Sequence, residues 1–301
     1  MIREGTFDDI PSAAAMRQRA WPDTIITVEG MRHSLANVPE RAELVMLAWE
    51  EDGEIVGWGT AGREWWVAEP NRGTLAVAVD PSRRGGGIGS ALADAADRHL
   101  TALGVTTTRA GSVDEPGARA LASRLGFAEL SASATSAVDP RAVEPTPVPE
   151  GVRLVPFAEL DDPRPLYELD MEVTPDIPNE DFDGISFEEW RDEFWRSPLV
   201  DQKASLAAFV GDELAALTMI RIDEPSGRAQ NNLTGTRRAF RGRGLARVLK
   251  THSLHLAGER GATIAITDND ETNEPMLAVN TKLGYRPFSR RIEWERIRDS
   301  S

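Results

Sequence analysis

The sequence predicts two tandem copies of one mixed α/β domain, and three observations carry that expectation. One order of strand and helix signals occurs twice, a proline-rich stretch separates the two series, and each series sets an arginine-glycine loop between an apolar strand and an amphipathic helix. At 301 residues and 41% hydrophobic content, the chain is long enough for about two cores of ordinary size.

The separator is VDPRAVEPTPVPEG, Val138 to Gly151, which holds Pro140, Pro145, Pro147 and Pro149 and has no apolar period. It places an N-terminal domain at 1–138, a linker at 139–150 and a C-terminal domain at 151–301.

Each copy opens with a short strand, at Ile2-Arg3 and at Val152-Arg153, followed by a segment of helix formers mixed with Asp and Pro. Alternating apolar runs around Asp52-Gly53 (Leu44 to Ala61) and around Gly211-Asp212 (Ser205 to Ile220) predict β-hairpins. Thr74 to Leu100 and Asn231 to Ala257 each read as strand, Arg-Gly loop and helix. Val105 to Val113 and Thr263 to Asp270 follow as strands. Glu115-Pro116 and Glu274-Pro275 start the last helices, where proline costs no hydrogen bond, and a glycine ends each. Arg290 to Ile297 predicts a final strand, completing a mixed α/β sandwich.

Composition removes several chemistries. Without cysteine there are no disulfides, thiolate metal sites or cysteine nucleophiles. A net charge of −15 disfavours a nucleic-acid surface and suits solubility or a cationic substrate. The first residues are acidic where a signal peptide is apolar, and no segment approaches the roughly 20 apolar residues of a membrane span. A cytoplasmic protein is expected, either monomer or homodimer. His252 and His255 share a helix face with no third ligand nearby, so no metal is expected and both read as structural.

In RRGGGIGSAL, Arg84, Gly87 and Gly89 stand where backbone N–H groups and the helix dipole favour an anion. The second copy has Arg241, Gly242 and Gly244, with Ala246 in place of the last glycine. Neither the nucleotide P-loop nor the dinucleotide fingerprint has this spacing.

VDPSRRGGGIG resembles the pyrophosphate-binding motif of the GNAT superfamily of acyl-CoA N-acyltransferases, Arg/Gln-x-x-Gly-x-Gly/Ala, and the resemblance extends in order over both halves. It implies a largely antiparallel sheet flanked by helices and splayed between strands four and five, with acetyl-CoA as cosubstrate. The pantetheine arm would run along Val77, Ala78 and Val79 in one copy and Leu233, Thr234, Gly235 and Thr236 in the other. The pyrophosphate would lie on Arg84, Gly85, Gly86, Gly87, Ile88, Gly89 and Ser90, or on Arg241, Gly242, Arg243, Gly244, Leu245 and Ala246. Asn269, Asn273 and Met276 extend the coenzyme contacts of the second copy, Asn273 toward the pantetheine or adenylate.

Amine acetylation needs an unprotonated amine, support for an oxyanion and a proton for the departing thiolate. The superfamily commonly takes that proton from a tyrosine after the last helix, which matches Tyr285; the first copy has Phe127, which has no proton to give. The C-terminal copy is therefore expected to be catalytic and the N-terminal copy to bind coenzyme. Tyr285 has an equally simple structural reading, closing the helix onto the sheet as Phe127 does.

No carboxylate lies on Asn231 to Thr236. The segment Tyr167 to Trp195 carries Asp170, Glu172, Asp176, Glu180, Asp181 and Asp183; it reads as a solvated acidic loop or as an acidic mouth with Glu172 or Asp176 as base. The expected acceptor is a small-molecule amine, cationic in the second of these readings. Two alternatives fit the same residues: catalysis in the N-terminal copy, whose loop matches the motif more closely, or a non-catalytic coenzyme-binding or sensing protein. Trp65-Trp66 read equally as cleft lining and as packing.

Overall fold

The computed structural model describes residues 1–179 and 181–298 and divides into two compact units. The first comprises Met1–Ser133 and the chain from Ser289, the second Ala134–Phe288.

In the first unit the chain runs β1 (Ile2–Glu4), α1 (Ile10–Ala20), α2 (Val28–Asn37), β2 (Val45–Glu51), β3 (Glu54–Arg63), β4 (Arg72–Val79), α3 (Ile88–Ala102), β5 (Thr107–Val113) and α4 (Pro116–Arg124). Then β6 (Ala128–Val138) leads into the second unit: β7 (Val152–Pro156), α5 (Arg164–Val173), α6 (Phe187–Trp190), β8 (Leu206–Val210), β9 (Glu213–Asp223), β10 (Arg228–Thr236), α7 (Leu245–Glu259), β11 (Ile264–Asp270) and α8 (Glu274–Lys282). The last strand is β12 (Arg286–Ile297).

The strand order is β1-β2-β3-β4-β5-β12 in the first unit and β6-β11-β10-β9-β8-β7 in the second. The β1–β4 and β7–β10 meanders are antiparallel, whereas β4 with β5 and β10 with β11 are parallel, as their helical crossovers require. The expected hairpins and crossovers are thus present in both copies.

The units do not follow the sequence boundary at the end of the chain. Arg291–Ile297 form an antiparallel ladder with β5 of the first unit, Arg291 opposite Val113. Ile292 and Trp294 pack there with Ala122 and Phe127, which is the physical reason the strand joins that unit. The proline-rich segment runs along α7: Val143 enters the second unit's core, Thr146 N–H donates to Thr251 Oγ1, and the His252 ring nitrogen bonds the Thr146 carbonyl.

Sequence period explains the helices that flank the cleft. Ile88, Leu92, Ala96 and Leu100 recur every fourth residue along α3 and are buried, and the chain leaves through Gly104 in the left-handed region. In α7, Leu245, Leu249 and Ala257 do the same, with Gly261 as the left-handed exit. Helices α1 and α2 cover the first sheet with Ile10, Met16 and Met31 against Trp58. No helix among the described residues is long and apolar enough to cross a membrane.

Candidate active site

Both parallel strand pairs part halfway. The β4–β5 ladder extends over Arg72–Thr74 opposite Thr107–Arg109 and stops, leaving Leu75–Val79 and Ala110–Val113 unpaired with each other. The β10–β11 ladder likewise ends at Asn231 opposite Thr267. In the second unit the register of β10 against β9 shifts between Asn231 and Leu233, a bulge at the point of parting that re-aims the backbone polar groups.

At the mouth of each parting lies an Arg-Gly loop. Gly85, Gly87, Gly242 and Gly244 have φ of 85°, 84°, 76° and 76°, so an L side chain would strain the loop even though nothing crowds the Cβ position. Gly87 and Gly244 are the N-caps of α3 and α7, and neither helix has a side-chain cap. Their first N–H groups are therefore directed at the cleft, in contrast with α8, whose Asn273 accepts from Met276 N–H.

The two arginines are held alike. Arg84 Nε donates to the Val79 carbonyl at 3.4 Å and Nη1 to Glu115 at 2.8 Å; Arg241 Nε donates to the Thr236 carbonyl at 3.1 Å and Nη2 to Asp176 at 2.5 Å. In each loop a carboxylate occupies the guanidinium that an incoming phosphate needs. Asp176 also accepts from Arg238, and these two arginines hold its carboxyl down at about 2. A carboxylate so well satisfied is a poor proton acceptor, which opposes the base role read from the sequence. Glu172 is engaged as well, accepting from Arg237 Nη1 and the Arg238 backbone N–H. Asp176→Asn is expected to lower the KM for acetyl-CoA by about two- to fivefold, the worth of an exposed pair, with kcat within about twofold. Initial-rate kinetics check this, and a large loss of kcat would restore Asp176 as the base.

The first unit contains a cavity of about 420 Å³ lined by Val77, Ala78, Val79, Arg84, Gly85, Gly87, Ile88, Gly89 and Ser90, that is, every coenzyme residue expected there except Gly86. Its inner wall is apolar, with Leu75, Ala110, Ala122, Leu125, Phe127 and Trp294. Ser112 also lines it, with its hydroxyl taken by Trp294 Nε1 at 2.9 Å. Trp65 and Trp66 are not part of this lining; they pack edge to face, centroids 5.6 Å apart.

The second unit sets polar side chains along its parting. Asn231 Nδ2 donates to Thr218 Oγ1 at 2.9 Å, and Thr234 Oγ1 bonds Thr218 Oγ1 and Asn231 Oδ1 at 2.8 and 3.0 Å. Asn280 Nδ2 donates to Asn269 Oδ1 at 2.6 Å, tying α8 to β11. Gly235 permits close approach of α5, since a Cβ there would lie 2.5 Å from Val173 Cγ2. Leu245 is buried, and the Arg243 guanidinium stacks over Phe240. Asn273 caps α8, its side-chain oxygen accepting from Met276 N–H.

Tyr285 is 4% exposed, its hydroxyl has no partner, and burial pushes the phenol well above its ordinary range. Sequence reasoning missed Lys250, buried in α7 with its ring neighbour Tyr285, and Thr218, which centres the asparagine network. Asp170, seen only as one acidic residue among several, is the buried carboxylate among the described residues of that segment, and burial raises its proton affinity. Glu180 lies outside the described residues. Among the described residues no group of three or more His, Asp or Glu could hold a metal ion.

A mixed sheet parted between its parallel strands, with a glycine loop and a bare helix N-terminus at the parting, is the architecture of an acyl-transferring enzyme. The chain belongs to the acetyltransferase (GNAT) family, whose model matches residues 13–127 and 165–285, once in each unit. A mycothiol acetyltransferase of Nocardia farcinica is 29% identical over 254 residues, covering 79% of this chain and 78% of the relative. That of Clavibacter michiganensis is 27% identical over 274 residues, covering 86% and 85%. Among solved structures, a tandem GNAT protein from the clavulanic acid biosynthesis pathway shares the fold with a TM-score of 0.75 at 23% identity, over 100% of this chain and 99% of its own. A GCN5-related N-acetyltransferase from Sphaerobacter thermophilus gives 0.71 at 19% identity, covering 99% and 95%. The family generally uses acetyl-CoA, and the uncapped helices and paired arginines fit its diphosphate.

Proposed function

We propose that the protein is an N-acetyltransferase that moves the acetyl group of acetyl-CoA directly to a primary amine of a small molecule, with the chemistry in the second unit. The first unit binds coenzyme without turning it over. One contrast carries the reading: the parting of the second unit has a hydrogen-bonded lining of Asn231, Thr218, Thr234, Asn269 and Asn280, whereas that of the first is apolar at Leu75, Val77, Ala110 and Phe127. A thioester under attack needs donors where charge develops, and the apolar wall of the first cavity offers few.

In this reading Arg241 and the α7 N-terminus hold the diphosphate, and Leu233–Thr236 run beside the pantetheine arm. Tyr285 supplies the proton to the thiolate; its counterpart Phe127 lines the first cavity, which supports a cleft-side position. With Glu172 and Asp176 both engaged by arginine, the acceptor's proton leaves through water at the bulged β10 backbone. The relatives named for mycothiol acetylation support acetyl as the transferred group.

An amine panel incubated with acetyl-CoA, following release of free thiol, tests the reading; no transfer to any amine would overturn it. Tyr285→Phe is expected to lower kcat about 10- to 100-fold with the KM for acetyl-CoA unchanged, the usual worth of a positioned acid. Full turnover by that variant would move the chemistry to the first unit.

A further inference from the structure

Lys250 is a buried amine that carries a heavy desolvation penalty. It is 1% exposed, and its Nζ has no hydrogen-bond partner. Taking an amine out of water without a partner is costly, and a fold retains such a group only against a steady stability disadvantage.

Nζ lies 5.3 Å from the ring centroid of Tyr285, whose hydroxyl is also buried and unpartnered. Tyr285 N–H donates to the Asn280 carbonyl, and Asn280 Oδ1 is a third buried polar atom without a partner. A buried polar group without a protein partner is the kind of group that an internal water satisfies.

The first unit shows what a purely structural version looks like. The sixth residue of α3 is Ala93, where the sixth of α7 is Lys250, and Phe127 stands where Tyr285 does. A cation still covers Phe127, the Arg296 guanidinium at 4.7 Å, but that cation gives Nη1 to the Leu125 carbonyl and Nη2 to Asp97, with its Nε alone unpartnered. Covering an aromatic ring therefore does not require an unpaired amine. The amine and the phenol occur together in one unit and are missing together from the other.

We propose that Lys250 is a positioning residue for the reaction, a buried proton store that recharges Tyr285 after the phenol has protonated the departing thiolate. The inference rests on the assignment of Tyr285 under Proposed function. The acceptor nitrogen forms the N–C bond, the C–S bond breaks, and Tyr285 Oη–H passes its proton to sulfur. The phenolate then takes a proton from the Lys250 ammonium, directly or across one water molecule. The proton that the acceptor amine loses to water returns the lysine to its charged form, so the enzyme ends as it began.

Among the described residues, β8, β9, β10 and the turn Pro140–Ala142 pack most closely against α7. No carboxylate or cation on any of them acts on Lys250, and Tyr285 is the titratable group beside it; burial alone pushes the amine down to about 7. It can thus both hold and give a proton near neutral pH.

Lys250→Met keeps the volume and removes the proton. The wild type is expected to show a limb near pH 7 in its kcat profile; in Lys250→Met that limb disappears and kcat falls about 10-fold or more, with the KM for acetyl-CoA unchanged. Tyr285→Phe combined with Lys250→Met is expected to lose no more than the worse single variant, because the two residues act in one path. Full kcat with an unchanged limb, or losses that multiply, overturns the proposal.

A readout independent of turnover comes from stability. The folded amine titrates near 7 and the unfolded one near 10.5, so between those values the unfolded state holds the extra proton and stability rises with pH. Urea unfolding at pH 7 and pH 9 is expected to show that rise in the wild type and not in Lys250→Met; equal slopes overturn the proposal. If the underlying reading fails, Tyr285→Phe alone keeps full turnover or the wild type transfers no acetyl group to any amine, and the proposal falls with it.

Discussion

Arg241→Glu is expected to lower kcat/KM for acetyl-CoA on the order of 100-fold or more. The guanidinium is anchored by its Nε to the Thr236 carbonyl beside the uncapped start of α7, and an incoming diphosphate displaces Asp176 from its outer edge. Losing charge-assisted bonds to a diphosphate accounts for about 1.5–3 kcal/mol, and a carboxylate placed against an anion adds repulsion in a site built for negative charge. The side chain is 46% exposed, so folding is expected to survive, and an unchanged unfolding midpoint separates a binding defect from collapse. Near-normal turnover in a folded variant would sink the assignment of the second cleft.

The matching change, Arg84→Glu, gives the contrast. It removes the same anchor from the 420 Å³ cavity of the first unit, so equilibrium dialysis is expected to count one coenzyme per chain rather than two while turnover persists. If turnover is lost in this variant and kept in Arg241→Glu, the roles of the two units exchange.

The duplication, the hairpins and the Arg-Gly loops were legible because each depends on local signals: alternation, turn glycines and a fixed strand-loop-helix spacing. The parting of the parallel strands became legible only through the family resemblance, since no local feature says where a ladder stops. Beyond reach was the partner of the last strand. RRIEWERI declares a strand by its alternation, but only packing of Ile292 and Trp294 against Phe127 settles that it lies beside β5. Lys250 was invisible for a related reason. In LARVLKTHSL it follows Leu249 and looks like the polar edge of an amphipathic helix, although α7 is buried around more of its circumference than α3. Asp176 and Glu172 were noticed for their charge, yet the arginines that engage them lie more than 60 residues away in sequence. Pairing at that distance is a property of the fold rather than of the segment.

The largest stability effect is expected at Trp190, at the end of α6. Its side chain is completely buried, stacks on Phe187 at 6.3 Å, meets Tyr167 edge-on at 5.9 Å and donates Nε1–H to Asp170 at 2.7 Å. Trp190→Ala removes the ring and the donor together, at a cost of about 3–5 kcal/mol for the cavity, with a further penalty for a buried carboxyl left with Thr174 alone. That is a large fraction of an ordinary domain's stability, so the melting temperature is expected to drop by about 10 °C or more. Trp190→Phe refills most of the volume and isolates the hydrogen bond, and here the sign with pH is decisive. Burial raises the folded-state affinity of Asp170 for its proton above the ordinary carboxylate value, so its contribution to stability falls as pH rises through the window above 3.8. The indole donor supports the charged form more strongly than the neutral one, so Trp190→Phe is expected to cost less at pH 5 than at pH 7. Urea midpoints at the two values read this directly, and a pH-independent cost would mean that Asp170 is already neutral at pH 7 and that Trp190 serves α5 and α6 by packing alone.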